Sequence, residues 1–166
     1  MSIRIYTDGS AVKNVASPNT PAGWGFVVIE GSVGEQHDGG TFLAEAYGKV
    51  QTKNTHPEFI GADVGSNNTA ELSAIYFALK YIEEHGFGEV FIYSDSQYAL
   101  GVVFGNWSAS KNIQLVANCR QLYDLLELRG ILIHHEHIRA HSGFRWNERA
   151  DKLAYAAAYE ELPPEL

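Results

Sequence analysis

Cysteine is nearly absent from this chain: Cys119 stands alone among 166 residues, so no disulfide can form within it. No run of about eighteen apolar residues occurs and no charged-then-apolar leader opens the sequence, so neither a membrane span nor export is expected, and a soluble cytoplasmic protein is. Positive charge is scarce too. Twelve Lys and Arg face twenty Asp and Glu, a formal charge of −8, which taken alone argues against a nucleic-acid partner because phosphate binding is largely electrostatic. Repeats and linker-like stretches are also missing. What is present, 45% hydrophobic and 12% aromatic residues, is enough to bury a core, and one domain is expected over residues 1–160 with an acidic, Pro-containing tail at 161–166.

Period-2 alternation in Ile3-Arg4-Ile5-Tyr6-Thr7, followed by Asp8-Gly9-Ser10, predicts a strand ending at Asp8. Two hairpin-like strands are expected at Gly23 to Ile29 and Phe42 to Val50, joined by a Gly-rich turn at Gly31 and Gly34, with long loops at 15–22 and 52–66. From Asn68 the apolar period becomes helical, with Ala74, Ile75, Ala78, Leu79 and Ile82 on one stripe that stops at His85-Gly86. Val90 to Ser94 reads as a strand ending at an aspartate. Two helices broken near 105–110, a strand from Ile131 to Arg139 and a closing helix from Trp146 to Tyr159 follow. Strands followed by alternating helices and strands indicate an α/β layered fold with a mixed sheet.

Four carboxylates then stand out. Asp8 and Asp95 close two similar segments, Tyr6-Thr7-Asp8 and Tyr93-Ser94-Asp95, and as ends of parallel neighbours they would lie about 5 Å apart at a sheet edge that binds ligands in many α/β proteins. Glu71 extends the apolar stripe of its helix back by one turn, so it points toward the sheet, and Asp151 lies in the first turns of the last helix beside Ala150, Leu153 and Ala154. Oxygen-only ligands suit Mg²⁺ or Mn²⁺ better than zinc, and two such ions about 4 Å apart can drive phosphodiester hydrolysis. Each acid also has a plainer explanation. Asp8-Gly9 and Asp95-Ser96 are ordinary turn formers, and Asn68 with Glu71 three residues on fits a capping box.

Taken together, Tyr6-Thr7-Asp8-Gly9-Ser10, Asn67-Asn68 with Glu71-Leu72, Tyr93-Ser94-Asp95-Ser96-Gln97-Tyr98, and Ala140-His141-Ser142-Gly143 before Asn147-Glu148-Arg149-Ala150-Asp151 resemble a type 1 ribonuclease H over nearly the whole chain. That resemblance implies a five-stranded mixed sheet of order 3-2-1-4-5 flanked by helices. It also implies endonucleolytic cleavage of the RNA strand of an RNA/DNA hybrid, leaving 3′-hydroxyl and 5′-phosphate ends. By the same resemblance, Asp8, Glu71, Asp95 and Asp151 would hold two Mg²⁺ ions, with Mn²⁺ as a substitute, and His141 would assist proton transfer and product release. Asn67, Asn68 and Gln97 match positions that read the 2′-hydroxyl. Asn14 and Ser66 are weaker matches to a pocket for a phosphate of the DNA strand. A monomer is expected, with no hybrid-binding domain ahead of the catalytic unit.

The chain departs from the family pattern in one respect. Many members carry a Lys-rich handle after the third carboxylate, whereas residues 96–129 here contain only Lys111, Arg120 and Arg129, offset by Asp124 and Glu127. The expectation is a shortened, uncharged handle and weaker, strongly salt-dependent binding of the hybrid. Two alternatives stay open on the sequence alone: another nuclease of the superfamily, integrase-like or resolvase-like, and a non-catalytic hybrid-binding module. A third concerns His134, His135 and His137, of which the last two share a strand face and could bind a transition metal, though surface histidines are the simpler reading.

Overall fold

The computed structural model describes residues 2–166; Met1, the first residue of the expected domain, lies outside them. Strands β1 (Ile3–Ala11), β2 (Ala22–Glu30), β3 (Thr41–Lys49), β4 (Glu89–Ser94) and β5 (Leu132–His137) form one sheet in the order β3-β2-β1-β4-β5. The helices are α1 (Asn67–His85), α2 (Gln97–Val103), α3 (Ile113–Leu128) and α4 (Arg145–Ala158). The first three strands pair antiparallel and are joined by loops, while β4 and β5 join in parallel after helical crossovers. The expected strand order and mixed pairing are thus both present.

The sheet is covered on both faces, as a mixed α/β sheet requires. Ile3, Ile5 and Ile92 point to one side, where Leu72, Ile75, Leu79 and Ile82 of α1 and Leu115, Cys119 and Leu126 of α3 complete the larger core. Tyr6, Val27, Ile29 and Tyr93 point to the other, against Trp146, Ala150 and Leu153 of α4. Cys119 is fully buried, its Sγ 3.6 Å from the Leu72 carbonyl oxygen, and burial pushes its thiol far above the ordinary range. α1 ends at Gly86, which is left-handed with φ +66 and donates its N–H to Ile82, as the sequence stop signal predicts.

Two expectations are corrected. β1 does not end at Asp8, because Gly9, Ser10 and Ala11 continue the antiparallel ladder opposite Trp24, Gly23 and Ala22. The parallel ladder with β4 stops at Thr7 opposite Ser94, so Asp8 sits one residue beyond it while still inside a regular strand. The cap of α1 is also different. Ser66, not Asn68, caps it, with Ser66 Oγ accepting from the Thr69 N–H at 3.0 Å and Thr69 Oγ1 accepting from the Ser66 N–H at 2.9 Å. Glu71 therefore takes no part in capping.

The two long loops support one another. Ser17 and Gly65 exchange backbone hydrogen bonds, and Thr52 Oγ1 donates to the Pro18 carbonyl. The tail folds back along α4, where the Pro164 carbonyl accepts from Arg149 at 2.6 Å. Among the described residues, no helix is long and apolar enough to cross a membrane.

Candidate metal centre and active site

Asp8, Glu71 and Asp95 come together at the end of the parallel ladder. One carboxylate oxygen from each lies within 4.8 Å of the others. A glycine makes the approach possible: a Cβ at Gly9 would stand 2.4 Å from the backbone of both Ala70 and Glu71, so any larger residue would push α1 off β1. The Gly9 N–H lies 2.8 Å from Asp8 Oδ1 and 3.1 Å from Glu71 Oε1, tying the two acids to one backbone donor. Asp95 follows β4 directly and precedes Ser96, whose Oγ caps α2 by accepting from the Ala99 N–H at 3.0 Å.

Three clustered acids in a desolvated setting cannot all ionise without a compensating charge. Burial pushes Asp8 up to about 8, with the charges of Asp95 and Asp151 adding to the rise. Burial drives Glu71 well above its ordinary value, reinforced by Asp8. Asp95 is raised for the same reason, opposed in part by the imidazoles of His141 and His137. Glu71 Oε2 is buried with no hydrogen-bond partner. A partnerless carboxylate oxygen in a nest of oxygen donors fits a hard divalent cation, which would supply the missing charge.

The remaining predicted residues are distributed around this cluster. Asp151, in the second turn of α4, stands outside the three-acid group, yet its charge acts on both Asp8 and Asp95. His141 is exposed in the loop between β5 and α4 and left-handed, with φ +54. Asn67 accepts the Ala11 N–H through Oδ1 at 3.0 Å. Ser66 and Asn68 line a cavity of about 590 Å³ with Lys111, Asn112 and Gln114; Asn14 is exposed and is not one of its lining residues. Gln97, also exposed, lines a second groove with Trp107, His135 and His137.

His137 is a site neighbour that the sequence reading did not place there. Its Nε2 lies 3.2 Å from the Asp95 carbonyl oxygen, because the parallel register sets His137 opposite Ser94. That pairing, had it been inferred, was the available signal. His134 instead bonds Glu89 at 2.7 Å and His135 stacks on Phe104, so among the described residues the histidines of β5 do not gather into a metal site.

Comparison with known proteins agrees with this geometry. A family model described as RNase H matches residues 1–159. The chain is 35% identical over 164 residues to a ribonuclease H of Syntrophomonas wolfei, covering 92% of each. It is 31% identical over 172 residues to one of Orientia tsutsugamushi, covering 96% of this chain and 84% of the other. Its fold is shared with RNase H1 of Halobacterium salinarum, at a TM-score of 0.69, 24% identity and coverage of 96% and 99%. It is shared as well with LC11-RNase H1 in complex with an RNA/DNA hybrid, at 0.68, 24%, 95% and 97%.

Proposed function

The chain belongs to the RNase H family, and from that premise we propose that it hydrolyses the RNA strand of RNA/DNA hybrids, leaving 3′-hydroxyl and 5′-phosphate ends. The observation that carries the reading is the buried, partnerless Glu71 Oε2 beside Asp8 and Asp95. Asp8, Glu71, Asp95 and Asp151 would hold two divalent cations, Mg²⁺ in preference and Mn²⁺ as a substitute. Such ions, when bound, supply an activated water and offset charge on the leaving oxygen.

The side chains around them divide the remaining work. Asp8 and Glu71 are kept poised by the shared Gly9 N–H, and Asp95 is held between β4 and the capped start of α2. His141, exposed on its loop, holds and releases a proton beside Asp95 as product departs. Asn68 and Gln97, both exposed, would offer their amides to the 2′-hydroxyls, while Asn67 keeps its amide donors after accepting from Ala11. Ser66 offers the DNA strand's phosphate the cavity it shares with Lys111, and Asn14, outside the cavity lining, would add to that contact only through its exposed amide. Residues 1–160 act as one catalytic domain, monomeric and cytoplasmic, with 161–166 as its tail.

The test is incubation with a labelled RNA/DNA hybrid, with and without Mg²⁺ or Mn²⁺, beside Asp95→Asn. Cleavage confined to the RNA strand, dependent on the ion and abolished by the substitution, is expected. Metal-independent cleavage, or cleavage of duplex DNA or a four-way junction in preference to the hybrid, would overturn the proposal.

A further inference from the structure

The connection between β2 and β3, residues 31–40, is held more firmly than a surface turn requires. Arg4 is 1% exposed and pairs with no carboxylate among the described residues. Its guanidinium donates instead to the carbonyl oxygens of Gly31, Ser32 and Gly39, all in this connection, and to the hydroxyl of Tyr6. Within the connection two consecutive non-glycine residues, Gln36 and His37, are left-handed, with φ +53 and +49. Such a backbone persists only where its surroundings impose it.

The outcome of that restraint is the placement of His37. Its Nδ1 lies 2.7 Å from the Tyr6 hydroxyl, which also accepts from Arg4. Its ring centroid is 4.9 Å from that of Tyr93 and 4.4 Å from that of Phe144. Gly39 makes a second link, its carbonyl oxygen accepting from Trp146 Nε1 at 3.3 Å. Phe144 and Trp146 flank the point where the His141 loop ends and α4 begins. His141 itself makes no side-chain hydrogen bond among the described residues, so its position depends on how that loop is anchored. Core filling alone would call for an apolar residue at 37 and no left-handed backbone.

We propose that residues 31–40 are a positioning element for the catalytic loop, with His37 as its contact residue, setting where the chain enters α4 and hence where His141 and Asp151 stand relative to Asp8 and Asp95. The inference rests on the ribonuclease reading of the carboxylate site. His37 touches no reacting atom; it acts through Phe144.

His37→Ala and Trp146→Phe test it by two readouts: backbone hydrogen exchange across residues 139–144, and kcat and KM on the hybrid with Mg²⁺. The expected result is exchange at least about fivefold faster in that segment and kcat lower by roughly tenfold with KM within about twofold, as small misplacements of a catalytic group produce. The double variant His37→Ala, His141→Ala should lose no more than His141→Ala alone. Unchanged exchange in both single variants, or losses that multiply in the double variant, would overturn the proposal. Should the unsubstituted protein not cleave the hybrid, the ribonuclease reading falls, and the exchange measurement still decides whether His37 anchors the loop.

Discussion

The rings of Tyr6 and Tyr93 stack at 4.9 Å and 16°, in register across the parallel pair β1 and β4. Each stands two residues before an aspartate, so one aromatic contact fixes how far apart Asp8 and Asp95 emerge from the sheet. Both tyrosines are buried by α4, which ties this spacing to the helix carrying Asp151.

Asp8→Asn should lower hybrid cleavage by more than about 100-fold, since even outer-shell partners of a metal ligand commonly cost 10- to 100-fold. The metal-free protein should nonetheless melt a few degrees higher, because the cost of burying the Asp8 carboxyl, and its repulsion by Asp95 and Asp151, are gone. Steady-state rates and calorimetry without metal check the two halves, and equal melting temperatures would remove the repulsion from the account.

The carboxylates also give stability a particular pH dependence. The Asp8 pKa is raised from 3.8 to about 8 on folding and that of Glu71 is raised as well. Folded groups with raised values contribute stability fully below pH 4, and that contribution is lost as pH climbs through 8. The metal-free protein should therefore melt lower at pH 9 than at pH 5, and Mg²⁺ should raise the melting temperature more at pH 9. A stability profile rising over that range without metal would contradict this.

Gly9→Ala should destabilise the protein by roughly 1–3 kcal/mol, the ordinary cost of overpacking, and reduce cleavage strongly. The added methyl meets the backbone of α1 at 2.4 Å, and backbone cannot rotate away. Denaturant unfolding together with activity assays measures both effects; a neutral substitution would mean that α1 approaches β1 less closely than described.

Arg149 makes a two-point pair with Glu45, both contacts 2.8 Å, between α4 and the edge strand β3. Glu45→Gln should cost about 2–4 kcal/mol, because it strands a guanidinium that is only 9% exposed. A loss of a few tenths in urea unfolding would show the pair to be solvated.

Of the three cations in residues 96–129, Arg120 is occupied by the Val102 and Trp107 carbonyls and Asn106, and Arg129 by Glu83. Only Lys111, on the wall of the cavity, is left to meet a phosphate. The strong salt dependence expected from the sequence is accordingly revised: the slope scales with phosphates neutralised, so it should be shallow. Lys111→Ala should reduce it by about one, as binding titrations at several salt concentrations would measure.

Much of this was legible in the residues. The α/β layering, the α1 stripe and the acids at Asp8, Glu71 and Asp95 follow from periodicity and local context, which act over a few residues, whereas the strand order was implied only by the family resemblance. The cap at Ser66 was missed because Asn68 with Glu71 offers an equally good local pattern, and only contact with the sheet decides which acid is buried. The path of β1 beyond Asp8 was missed because Gly9 and Ser10 are turn formers whose pairing with β2 overrides their preference. His137 and the 31–40 connection depend on register and on a buried arginine, neither of which leaves a local signature.

Cys119 also has a practical use. A thiol fully enclosed between α1 and α3, with its proton held tightly, will not react with maleimides or iodoacetamides while the protein is folded. A cysteine placed on the surface, for instance in the connection at 31–40, would then be the only site of attachment. A fluorophore could report on that segment during turnover without first removing the native cysteine.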